Sequence, residues 1–119
     1  MELKILEIET QTIAEVISDE IVVNDPQDAL DLMVHASYQG AHWIILHEHQ
    51  LKGDFFELGS GLAGEIVQKF VNYHMKLAIV GEFEKFESKS LQAFMRESNR
   101  GQQLFFGPDV ASAIRKIRG

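Results

Sequence analysis

Residues 42–48 read HWIILHE and residues 76–83 read KLAIVGEF. Each holds an apolar run without polar alternation, Trp43–Leu46 and Leu77–Val80, as a strand buried on both faces does. Between them lies GLAGEIVQKFVNYH, residues 61–74. Its Leu62, Ile66, Val67, Phe70 and Tyr73 share one side of a helix, and Glu65, Gln68, Lys69 and Asn72 share the other. A strand, a helix of this length and a strand predict two adjacent parallel strands joined by a right-handed crossover.

The same reading extends outward in both directions. Residues 3–9 (LKILEIE) and 12–17 (TIAEVI) are β-prone runs joined by Thr10 and Gln11, which suits a hairpin. Ile21–Val23 reads as an extended approach to a first helix in NDPQDALDLMVHASYQG, residues 24–40. There Asp25 can cap, Pro26 fits the first helical position and Gly40 suits a left-handed end. Ala29, Leu30, Met33, Val34 and Ser37 form its expected apolar stripe. Ser60 is the expected N-cap of the 61–74 helix. Ser88 is that of SKSLQAFMRESN, which Gly101 ends. Gln103–Phe106 is a short strand, and Pro108 opens a last helix.

The order is β-β-α-β-α-β-α-β-α, so the fold class is α/β, a single domain over residues 1–119 with a mostly parallel sheet. The first strand is antiparallel through the hairpin. If the later strands add in order, every crossover helix lands on one face, and the other face must be polar, covered or paired. The chain has 119 residues, no cysteine and a formal net charge of −7. These exclude a disulfide scaffold, a thiol nucleophile and a cysteine–zinc site. The acidity argues against nucleic acid and anionic membrane surfaces as partners. No apolar run reaches the roughly 18 residues of a membrane span. The N-terminus lacks the pattern of a secretion signal, so the expected location is cytoplasmic.

Two resemblances attach to these motifs. GDFFELGSGLAGEIVQKFVNY (53–73), KLAIVGEF (76–83), SKSLQAFMRESNRG (88–101) and LFFGPDVASAI (104–114) resemble an uncharacterised bacterial family known only as a domain of unknown function. The element order resembles the STAS domain of anti-sigma-factor antagonists and sulfate-transporter tails. In that family a strand leads to an Asp-Ser-Ser-Gly-Leu turn opening a helix, and the serine after the aspartate is phosphorylated by a partner kinase. This chain reads Leu58-Gly59-Ser60-Gly61-Leu62. The aspartate position is Leu58 and the phospho-acceptor position is Gly59, which argues against that switch. What the resemblance still implies is the fold and partner binding at the same edge.

The residues offer three candidate sites. His47-Glu48-His49 follows a buried strand, where open α/β sheets place ligands. It reads either as a metal or acid–base site or as structure and ordinary surface, and two imidazoles are too few for a closed metal site. Gly59-Ser60-Gly61-Leu62-Ala63-Gly64 matches a Gly-x-Gly-x-x-Gly string, but a linker of about a dozen residues separates it from its strand, unlike a dinucleotide fingerprint. Ser60 and Gly61 open a helix whose amides suit an anion or a partner's carboxylate. Phe55 and Phe56 lie in the linker 51–60, either both anchored in the core or one facing outward to a partner. Glu82, Glu84 and Glu87 read as a solvated acidic loop, and His35, His42 and His74 share no spacing. No cofactor is implied.

The functional expectation is therefore a non-catalytic regulatory or protein-interaction module. It would bind a protein partner or a second copy through the sheet face or the 51–60 loop, at Phe55, Phe56, Ser60 and Gly61. The alternative is a small enzyme or ligand-binding protein using the strand ends near His47, Glu48 and Ser60.

Overall fold

The computed structural model describes residues 1–119. Strands β1 (Glu2–Ile8) and β2 (Gln11–Ile17) form the hairpin, pairing antiparallel from Glu2↔Ile17 to Ile8↔Gln11. Glu9 and Thr10 make the turn, one residue earlier than the sequence suggested, and Glu9 adopts a φ of 57°. Helix α1 (Pro26–Tyr38) begins as expected, with the Asp25 carboxylate accepting from the Asp28 amide at 2.8 Å. Its buried line is Ala29, Leu32, Met33 and Ala36. The expected stripe was rotated too far, and Val34 is 40% exposed.

Strands β3 (Trp43–His47) and β4 (Lys76–Val80) are adjacent and parallel, in register from Trp43↔Lys76 to His47↔Val80. Helix α2 (Leu62–Asn72) is their crossover. Helix α3 (Lys89–Arg100) then leads to β5 (Leu104–Gly107), which pairs parallel with β4. The result is one α/β domain with a mixed five-stranded sheet in chain order, β1-β2-β3-β4-β5. β2 also runs parallel to β3. All four parallel strands therefore deliver their carboxyl ends to one edge.

Strand alternation divides the apolar residues into two layers. Ala14, Val16, Ile44, Leu46, Leu77, Ile79, Leu104 and Phe106 pack beneath α1, α2 and α3 in the larger core. Ile13, Trp43, Ile45, Ala78 and Val80 point to the other face. Helix α4 (Val110–Arg118) lies there, and its Ala113 and Ile117 complete a smaller core. The second sheet face, expected as a surface for self-association, is thus covered in part by the chain's own last helix. α4 begins at Val110 rather than at Pro108, and Asp109 caps it, its carboxylate accepting from the Ser112 amide at 2.8 Å.

β4 stops at Val80, short of the expected 76–83, although the Gly81 amide still donates to the Gly107 carbonyl at 3.0 Å. No helix is long and apolar enough to cross a membrane.

Candidate functional site

The carboxyl edge of the sheet is organised by Gln50, which is 1% exposed. Its side-chain oxygen accepts from the His47 amide at 2.8 Å. Its side-chain nitrogen donates to the carbonyls of Val16 and Ser18 at 3.0 and 3.1 Å. Its own carbonyl accepts from the Val22 and Val23 amides at 2.7 and 3.0 Å. A buried amide must be satisfied in this way or cost stability. Gln50 thereby ties the ends of β2 and β3 to the Ile21–Val23 segment, which was expected only as an extended approach.

This knot sets the geometry of the His47-Glu48-His49 stretch. His47 points to the second sheet face, and its Nε2 lies 2.8 Å from Glu15 Oε2. A carboxylate only accepts, so Nε2 carries the proton. Glu15 is a buried charge, 8% exposed, and the imidazole is its partner. His49 Nε2 instead donates to the Ser18 carbonyl at 2.9 Å, and the two rings are 6.0 Å apart. Glu48 turns the other way and meets Lys85 at 2.6 Å. Its Oε1 also accepts from the Glu82 amide at 3.3 Å.

An imidazole held by a carboxylate can move a proton. Neither histidine, however, bonds a hydroxyl, and the Ser18 hydroxyl accepts from the Glu20 amide at 3.1 Å. No three His, Asp or Glu side chains converge in a metal-holding arrangement. The three side chains therefore diverge: His47 meets Glu15, His49 the Ser18 carbonyl, and Glu48 Lys85.

The second candidate stretch follows in three single turns of 3-10 helix, Glu48–Gln50, Gly53–Phe56 and Leu58–Ser60. Phe55 is 0% and Phe56 is 6% exposed. The outward-facing phenylalanine expected as one of two alternatives is absent. The Gly53–Phe56 turn brings both rings inward, where an extended chain would have separated them. Phe55 and Phe56 meet edge to face at 5.1 Å, and Phe56 stacks on Phe86 at 5.0 Å. These rings anchor the loop.

Ser60 is not the cap residue of α2. Gly61 holds that position with a φ of 81°, a left-handed conformation that glycine adopts without strain. The Ser60 hydroxyl still accepts from the Leu62 amide at 3.2 Å and donates to the Asp54 carbonyl at 2.7 Å. It therefore clamps the turn against the loop that Phe55 and Phe56 pin. Beside this turn an open groove of about 590 Å³ runs between the starts of α1 and α2, lined by Pro26, Gly61, Gly64, Glu65, Gln68 and Lys69.

The fold and this edge define a small α/β domain with a Glu15–His47 pair and a serine-clamped turn beyond its strand ends. The chain belongs to the family described as Domain of unknown function (DUF4180), whose model matches residues 8–117. No curated protein and no solved structure matches it.

Glu15 and Gln50 escaped the sequence reading. Glu15 had a faint signal, as the one charge inside the run TIAEVI. Gln50 had none, because nothing local marks a glutamine in a polar linker as buried.

Proposed function

We propose that the domain is a non-catalytic, STAS-like protein-interaction module of the cytoplasm, whose partner-facing edge is the turn Leu58–Leu62 with the first turn of α2. The observation that carries the reading is the state of the glycines around Ser60. Gly59, Gly61 and Gly64 would each meet nothing within 4 Å if a Cβ were added. Gly61 needs its left-handed backbone; the other two do not have positive φ. Gly64 sits in the first turn of α2, and glycine is up to about 0.8–1.0 kcal/mol worse than alanine in a helix. No packing within the chain compensates for that loss. A bare backbone beside an open groove suits the close approach of a partner segment.

The element order and the Ser60-Gly61-Leu62 sequence between β3 and α2 support the STAS-like part. With Gly59 at the phospho-acceptor position, binding at this turn is not gated by phosphorylation there. Phe55 and Phe56 contribute by holding the turn rigid. The net charge of −7 favours a protein over a nucleic acid as partner.

Site-specific photocrosslinking tests the reading. A photoreactive side chain at the exposed groove residues Glu65 or Gln68 is expected to trap a discrete protein in the source cells, and one at Val34 is not. Gly64→Arg is expected to abolish that adduct without lowering the melting temperature. Equal adducts from all three positions, or none, defeat the proposal.

The Glu15–His47 pair favours a second reading, a ligand or proton-transfer site at the strand ends. A thermal-shift screen against nucleotides, metals and small metabolites tests it. A hit abolished by His47→Gln supports this reading, and a flat response removes it.

A further inference from the structure

The chain is acidic overall, but its charge is segregated. Residues 85–119 hold seven of the 11 Lys and Arg residues and only three of the 18 Asp and Glu residues. Because the strands add in chain order, this segregation along the sequence becomes segregation across the molecule. β1, β2 and α1 form an acidic side. β5, α3 and α4 form a basic one.

On the basic side, past the ends of β4 and β5, lies an open, shallow cavity of about 440 Å³ between the Gly81–Ser88 loop and α3. That size is within the range of small-molecule sites, about 300–1,000 Å³. Its apolar wall is Phe83, Met95 and Phe106. Phe83 and Phe106 meet edge to face at 5.4 Å, and Phe83 continues to Phe56 at 6.1 Å. The wall is therefore built on the same aromatic row that pins the 51–60 loop.

The polar rim is selective. The Asn99 amide is fully engaged with the Phe106 backbone, donating to its carbonyl at 3.0 Å and accepting from its N–H at 2.7 Å. It shapes the wall. Gln92 donates to the Phe86 carbonyl at 3.0 Å. The two charged lining groups are Arg96 and Glu84, and neither takes part in an ion pair. Arg96 is the one cation in this lining; of the other cations on this side, Lys85 pairs with Glu48, Arg100 pairs with Glu97, and Lys116 donates to the Asn99 backbone carbonyl.

We propose that this cavity binds a small organic anion, its flat apolar body against Phe83, Met95 and Phe106 and its carboxylate or sulfonate on Arg96. Apolar walls with few oriented polar groups are how such sites combine affinity with orientation. Guanidinium is the side chain best shaped for a planar anion. The site is separate from the glycine turn proposed for protein binding and does not depend on it.

Two fluorescent probes test the proposal on the intact chain: the anion 1-anilinonaphthalene-8-sulfonate and its uncharged relative N-phenyl-1-naphthylamine. Both are expected to bind saturably at one site. Titration is expected to shift the amide resonances of Phe83, Gln92, Arg96 and Phe106 and to raise the melting temperature. Arg96→Gln, an exposed change that leaves the fold intact, is expected to weaken the anion about tenfold and leave the neutral probe unchanged. Glu84→Gln is expected to tighten the anion. The proposal is overturned if neither probe saturates, if the shifts centre on the α1–α2 groove, or if Arg96→Gln leaves the anion's affinity unchanged or weakens both probes equally.

Discussion

Glu15 Oε2 and His47 Nε2 lie 2.8 Å apart, although 32 positions separate the residues in sequence. Parallel pairing of β2 with β3 sets Glu15 beside Ile45, so His47 is the next residue along the same face. The Gln50 bond to the His47 amide then fixes the backbone from which the ring projects. Removing the imidazole leaves a buried carboxylate without its partner. His47→Ala is therefore expected to destabilise by about 1–3 kcal/mol. His47→Gln, which restores a donor, is expected to recover part of that loss. Urea unfolding of both variants checks the order; equal stability would show that water serves Glu15 as well as His47 does.

Phe55→Ala and Phe56→Ala are each expected to cost roughly 3–5 kcal/mol, as core phenylalanines do. Both rings are buried in the main core, and Phe56 also stacks on Phe86. A cost near half a kcal/mol at either position, measured by denaturant midpoint, would mean that the ring reaches solvent.

Gly64→Ala is expected to stabilise the isolated domain by about 0.5–1 kcal/mol, through helix propensity and a less flexible unfolded chain. The new methyl meets nothing within 4 Å. Destabilisation in thermal melts would reveal an intramolecular need for that glycine and remove the main support for a partner surface there.

Asp109 carries an acid-sensitive component of stability. The Ser112 backbone N–H, then the Ser112 hydroxyl, and also the Arg115 charge hold its carboxyl below the usual carboxylate range. The folded-state pKa lies below the unfolded one, so the folded state binds the proton less readily. That contribution is complete above pH about 4, the unfolded range of aspartate, and is lost as pH falls through the lowered folded value. Asp109→Asn is expected to flatten this part of the acid limb of a stability-versus-pH curve. An unchanged limb would show that other carboxylates carry it.

The strands and helices were legible because their signals are local. Trp43–Leu46 and Leu77–Val80 are continuous apolar runs, and Asp25, Ser88 and Gly101 punctuate helices as their chemistry dictates. The role of α4 was not, because α4 is not a crossover between two paired strands, so strand pairing does not fix its side of the sheet. Ser60 was displaced from the cap by one residue, because the left-handed Gly61 takes that position while the Ser60 hydroxyl still reaches the Leu62 amide from one residue further back. The site was least legible. Glu15 with His47, and Phe83 with Phe106, are relationships of topology, and a side chain's distant neighbour leaves no mark on the residues beside it.

Gly81 and Glu48 provide the sharpest test of the edge geometry. A Cβ at Gly81 would lie 2.6 Å from Glu48 Cβ and 2.7 Å from Glu48 Oε1. The oxygen sits at the end of a flexible side chain, but Glu48 Cβ is fixed by the backbone that Gln50 ties down. Gly81→Ala is therefore expected to destabilise by about 1–3 kcal/mol, as other overpacking substitutions do. Two companion substitutions locate the cause. Glu48→Ala removes the oxygen contact and the Lys85 pair but keeps the Cβ, so most of the Gly81→Ala penalty remains. Glu48→Gly removes the Cβ as well and is expected to cancel most of that penalty. In double-mutant cycles the coupling should thus approach the full penalty with Glu48→Gly, at least about 1 kcal/mol, and stay well below it with Glu48→Ala. Urea midpoints at constant m-value give both terms. Equal coupling from the two Glu48 variants would place the conflict at the carboxylate, and the backbones of β3 and β4 would then be free to move apart at this edge.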